Sequence, residues 1–170
     1  MRGALLVAMA LVVAGCDPFV VEVDAPSVCT VVPSQRFVPV SGGLAATLPL
    51  DLALDQVPGF DGVSATVQLI SVTLTAADGS DLRKVTGAQV RAFPARQVSS
   101  TVAGIVAASS SPPILEDGAL TIPGTEADIF PQLADGPAQL AIQLDVPAGQ
   151  ALTASVGVCV RVNASAHYLK

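Results

Sequence analysis

The chain has 170 residues, of which 51% are apolar and only 13% charged, so it carries enough apolar side chain to build one core and is too hydrophobic to remain disordered. Its formal charge is −6, and the one adjacent pair of cations is Arg83-Lys84, read as the solvated flank of a hairpin; no clustered basic face exists to hold nucleic acid. The length suits a single domain and leaves little room for a second.

The first sixteen residues have three parts: a basic start at Met1-Arg2, an apolar run from Ala4 to Ala14, and a small residue before Cys16. This is the layout of a secretory signal peptide. The run is too short to span a bilayer, which takes about twenty apolar residues, and Asp17-Pro18 follows it where a stop-transfer flank would be basic.

Val13-Ala14-Gly15-Cys16 resembles the lipobox of bacterial lipoproteins, an aliphatic residue and two small residues before the cysteine that becomes the first residue of the mature chain. The resemblance covers about sixteen residues and implies no fold for the rest. It implies cleavage after Gly15, so that residues 1–15 are a removed signal and residues 16–170 the mature domain, and it implies acylation of Cys16. Each buried CH₂ contributes about 0.8 kcal/mol, so one chain anchors marginally and two or three anchor stably. Asp17 resembles the residue that retains some lipoproteins of enteric bacteria in the inner membrane, a possible sorting position here; inner-membrane periplasmic face and outer membrane are both left open.

With Cys16 acylated, Cys29 and Cys159 are an even pair, and in an exported protein the default for such a pair is a disulfide. A loop of about 130 residues closed in this way is worth roughly 5 kcal/mol in the chain-entropy model. A metal site is a poor alternative, because His167 is the lone histidine and the two cysteines are far apart in sequence, without the close ligand spacing of zinc. If Cys29 belongs to the folded body, the thirteen residues from Cys16 to it reach at most about 45 Å, which keeps the domain near its membrane.

From residue 19 onward, alternating runs recur with turn signals between them. "FVVEVD" (19–24) is the first. "LPLDLAL" sets Leu48, Leu50, Leu52 and Leu54 on one face, with Pro49 pointing to an edge or a strand start. "VSATVQLISVTLT" changes phase between Leu69 and Ile70, as a β-bulge would cause. "ADGSD" reads as the turn that follows, then "VTGAQVRAF", "AGIVAA" and "GALTIP", the last preceded by the tight-turn pair Asp117-Gly118. "AQLAIQLDV" and "LTASVGVCVRVNA", joined by "PAGQ", read as a hairpin. Only "TEADIFPQLADG" is helical in pattern, with Thr125 as N-cap, Ile129 and Leu133 four apart, and Pro131 limiting it to a turn or two. The expected fold is all-β, an antiparallel β-sandwich of about seven to nine strands with at most one short helix, because one apolar face per strand needs a second sheet to cover it; a closed barrel is the alternative, though not an outer-membrane one, for the strands lack aromatic girdles.

Catalytic chemistry finds little to work with. A serine nucleophile needs a base, usually histidine, and His167 lies three residues from the end of the chain. No P-loop, G-x-S-x-G, H-E-x-x-H or dinucleotide fingerprint occurs. Asp51, Asp55, Asp61 and Asp145 are scattered carboxylates, and Asp78-Gly79-Ser80-Asp81 supplies too few oxygens for Ca²⁺ and reads as a turn. The sequence therefore points to a non-enzymatic, lipid-anchored cell-envelope module without cofactor, metal or nucleic-acid ligand, held to the membrane through Cys16 and binding or supporting another envelope protein. A glycan-binding surface module is the alternative, weakened by five Phe, one Tyr and no Trp, and a carboxylate-dependent hydrolase is the more remote one.

Overall fold

The computed structural model describes residues 20–51, 63–77, 80–94, 104–133 and 137–167. It contains nine strands: β1 (Val20–Val40), β2 (Gly43–Leu50), β3 (Val63–Ala76), β4 (Gly87–Pro94), β5 (Ile105–Ser110), β6 (Ile114–Glu116), β7 (Ala119–Pro123), β8 (Ala138–Asp145) and β9 (Leu152–His167). All pairings are antiparallel, in the order β5-β4-β8-β2-β1-β9-β3-β7-β6. The chain is thus all-β, and its sheet folds over into two facing halves.

The fold-over happens along β1. Its first part, up to Phe37, pairs with β9, and its last three residues pair with β2. One strand therefore belongs to both halves. At the other side, Ala108 of β5 bridges Gly124 just beyond β7, the Thr125 N–H donates to the Ala107 carbonyl at 2.9 Å, and the Thr125 hydroxyl donates to the Val106 carbonyl at 2.7 Å. These bonds bring the two ends of the sheet together, so the sandwich is nearly closed.

Alternation decides which face is inside. β2 turns Leu44, Ala46, Leu48 and Leu50 inward, β8 turns Ala138, Leu140, Ile142 and Leu144, and β9 turns Leu152, Ala154, Val156, Val158, Val160 and Val162. Val67, Leu69, Val72 and Leu74 of β3 complete the opposite wall, with a register shift between Leu69 and Ser71 where the sequence changes phase. The inserted residue returns both pairs of apolar side chains to the same face. Pro49 lies near the end of β2, opposite Gln139 of β8, where β1 no longer pairs on the other side; the missing N–H costs no ladder bond there. Among the described residues no polar or charged side chain is buried.

Three local expectations need correction. β8 and β9 both form, but they are not a hairpin: β8 lies between β4 and β2, and β9 between β1 and β3. The "PAGQ" segment, with Gly149 at φ 82°, carries the chain across from one half to the other. Both strands have a complete apolar face, and facing each other across the core covers both, whereas adjacency in one sheet would cover neither. The connection after β3 is likewise a crossing, since β3 and β4 lie in opposite halves. It contains a 3-10 turn, Leu82–Lys84, in which Leu82 is buried and Arg83 and Lys84 are exposed. Asp78 and Gly79 lie outside the described residues.

The third correction concerns Thr125, which does not cap the helix. The helix is the single turn Phe130–Leu133, and Asp128 caps it, with Oδ1 accepting from the Phe130 N–H at 3.0 Å and from the Val67 N–H at 2.9 Å. Thr125 is instead committed to β5, and Glu126 at φ 63° turns the chain between them. Pro131 falls in the first turn, where its missing N–H is harmless, and Ile129 and Leu133 reach the core as their spacing suggests.

Candidate functional site

Cys16 and Asp17 lie outside the described residues, but the strand that follows them bears on how an anchor would act. β1 is already in the ladder at Val20, opposite His167, and Glu22 pairs with Ser165. From Cys16 to Val20 the chain can extend at most about 14 Å. The bound of about 45 Å counted to Cys29 is thus shortened about threefold.

Cys29 and Cys159 form a disulfide, with S–S 2.13 Å and Cα–Cα 4.1 Å. They are directly opposite each other on β1 and β9. Cys29 is exposed and Cys159 half-buried, on the outer face, away from the buried Val158 and Val160. The bridge therefore ties the first strand to the last from outside the core.

The interior holds no polar side chain among the described residues, so polar groups that could meet a ligand lie on the surface. One open groove of about 460 Å³ lies over β4, β5 and β8, lined by Gln89, Ser109, Ser110, Ser111, Gln143 and Asp145 above a floor of Gly87 and Ala88. Its cause is register: Ser109, Gln89 and Gln143 stand in one row across three strands, and Gly87 faces Asp145. A Cβ at Gly87 would meet Oδ2 of Asp145, the end of an exposed side chain that can swing aside. Arg91 donates from Nε to Oε1 of Gln89 at 2.7 Å and fixes that amide, and the Ser110 hydroxyl donates to the Pro112 carbonyl at 2.7 Å. The groove thus combines one carboxylate, two primary amides and three hydroxyls. That set exchanges hydrogen bonds with a polyhydroxylated ligand, whereas two-carboxylate hydrolysis needs a pair.

The other sequence candidates are dispersed. Asp51 is exposed just after β2, and Asp55 and Asp61 lie outside the described residues. His167 is the last residue of β9 and pairs through its backbone with Val20, so the strand fixes the chain closer to its end than a terminal position suggests. Among the described residues no three His, Cys, Asp or Glu side chains gather as metal ligands. No helix among them is long and apolar enough to cross a membrane. Sequence reasoning did not find the groove, because its residues come from three separated strands and only the register unites them. The one signal was the polar phase of "AQVRA" and "AIQLD", in which Gln89 and Gln143 point away from the core.

Comparison with known proteins finds no family model, no curated relative and no solved structure that matches this chain.

Proposed function

We propose that the protein is a lipid-anchored lipoprotein of the bacterial cell envelope, and that its β-sandwich is a non-enzymatic module that binds or supports another envelope component. The observation that carries this reading is Val13-Ala14-Gly15-Cys16 at the end of an apolar signal run. The short link from Cys16 to β1 supports it, because a domain that starts four residues after its anchor is held against the membrane surface. A disulfide on the outer face fits an oxidising compartment. The test is metabolic labelling with radioactive palmitate and fractionation of Cys16→Ala. Label in the wild type and release of the variant from the membrane fraction are expected; an unlabelled protein whose membrane association survives Cys16→Ala sinks the reading.

The groove over β4, β5 and β8 favours a second reading, a glycan-binding surface module, since its carboxylate, amides and hydroxyls are the donors and acceptors that sugar hydroxyls use. On a glycan array the wild type would give signals that Asp145→Ala reduces about tenfold, the loss of one charge-assisted hydrogen bond, and Gln143→Ala about threefold, the loss of a neutral one. An array without signal for folded wild type counts against it.

A further inference from the structure

Between its two register shifts, β1 has an edge that no described strand covers. β2 pairs only with residues 38–40 of β1, so residues 28–32, Val-Cys-Thr-Val-Val, pair with β9 alone. Val28 is 47% exposed and Val31 66%. Edges of this kind are ordinarily blunted by charge, proline or bulges. Here proline and bulges lie outside the stretch: one shift falls between Ala25 and Val28, beside Pro26, and the other between Val32 and Gln35, beside Pro33. No charged residue occurs from 25 to 35.

Hydrogen-bond parity shows which backbone groups face that edge. The Ala77 N–H donates to the Thr153 carbonyl at 2.8 Å, so odd-numbered residues of β9 aim their backbone groups at β3 and away from β1. Cys159 is one of these. Its pair with Cys29 is accordingly the close, non-bonded kind, as a Cα–Cα separation of 4.1 Å also indicates. The N–H and C=O of Cys29 and Val31 therefore point outward to the uncovered edge.

We propose that this edge pairs with the same edge of a second copy of the chain, antiparallel and centred on Thr30. That register sets Cys29 against Val31 and Val31 against Cys29, each a bonded pair built from outward-facing groups. It sets Val28 against Val32 on the inner face and Thr30 against itself. The two register shifts are symmetric about Thr30, each with one extra residue, so the bulge that ends one copy's edge meets the bulge that ends the other's. Since these insertions match, Arg36 of each copy comes level with Asp24 of the other, so each end of the pair brings one cationic and one anionic residue into register. A self-complementary edge is what a two-fold dimer requires. Five residues a side is well short of the roughly 20–30 of a stable interface, so the pairing belongs to copies concentrated on one surface.

A covalent trap tests this better than a sedimentation run. Thr30 is exposed and is the self-paired position, so full-length protein carrying Thr30→Cys is expected to form a covalent dimer on a non-reducing gel, with peptide mapping showing position 30 joined to position 30 and the Cys29–Cys159 bridge retained. Thr47→Cys, exposed on β2, is expected to stay monomeric. Adding Val31→Lys to Thr30→Cys should cut the dimer at least about tenfold by placing a charge at the edge, and adding Thr47→Lys should not. The proposal is overturned by a monomer that keeps its native bridge, by a dimer that Val31→Lys leaves undiminished, or by position 30 joined to a different protein.

Discussion

Gly124 sits where three strands meet. Its N–H donates to the Ile70 carbonyl at 2.8 Å, it bridges Ala108, and a Cβ there would land on the Leu69 carbonyl. Gly124→Ala must push β3 and β7 apart, and we expect a loss of about 2–3 kcal/mol, read as a melting point lowered by roughly 5–10 °C. Asp128 serves two elements at once, β3 and the helical turn. Asp128→Ala should cost about 1–2 kcal/mol and Asp128→Asn, which keeps the acceptor, less than half of that; thermal melts of the two variants separate the lost cap from any lost charge. Asp117 and Gly118, at φ 49° and 78°, form the tight turn their sequence suggests, for Asp-Gly is the pair that tolerates two left-handed residues.

At the scale of elements, β1 is the exception. From residue 27 to residue 40 it buries only Phe37, while β9 buries every second side chain from Leu152 to Val162. β1 is held by its backbone ladder and by the disulfide, with little help from the core. Reduction under native conditions should therefore speed amide exchange at Val28, Thr30 and Val32, whose N–H groups face β9, and leave β2 and β8 protected, as hydrogen-exchange mass spectrometry would show; uniform loss of protection in all strands would contradict it. By contrast, Ile142→Ala empties a fully buried position of β8 and should cost about 2–5 kcal/mol with one cooperative transition.

The same contrast explains what could be read from the sequence. Strands with one apolar and one polar phase, such as "AQLAIQLDV", announce themselves, and the phase change at Leu69 and Ile70 even locates a bulge. The partners of those strands are not written locally. "PAGQ" serves a hairpin or a crossing equally well, and only the need to cover two apolar faces sends β9 to the other half. Thr125 looked like a cap because nothing nearby in sequence competes for its hydroxyl; the competitor, the Val106 carbonyl, comes from β5. The groove escaped for the same reason, being made of a row that crosses three strands.

For the whole molecule, the two halves share β1 and touch again at Gly124, and the stretches that pair on one side only include residues 28–32 of β1 and residues 46–50 of β2. If two lipidated copies pair along the β1 stretch, their Val20 ends lie at opposite ends of the joined strands. The pair then lies along the membrane instead of standing on it.

The pairing of Val20 with His167 puts both ends of the described chain at one end of one strand pair. A pull on the N-terminal end of β1 that peels it from β9 there would break the ladder one rung at a time, the weakest direction in which to load a sheet. The tear would run only as far as Cys29 and Cys159. Beyond that bridge the load passes through a covalent bond into β9, which lies between β1 and β3, so the bridge acts as a rip-stop against any load on the proposed tether.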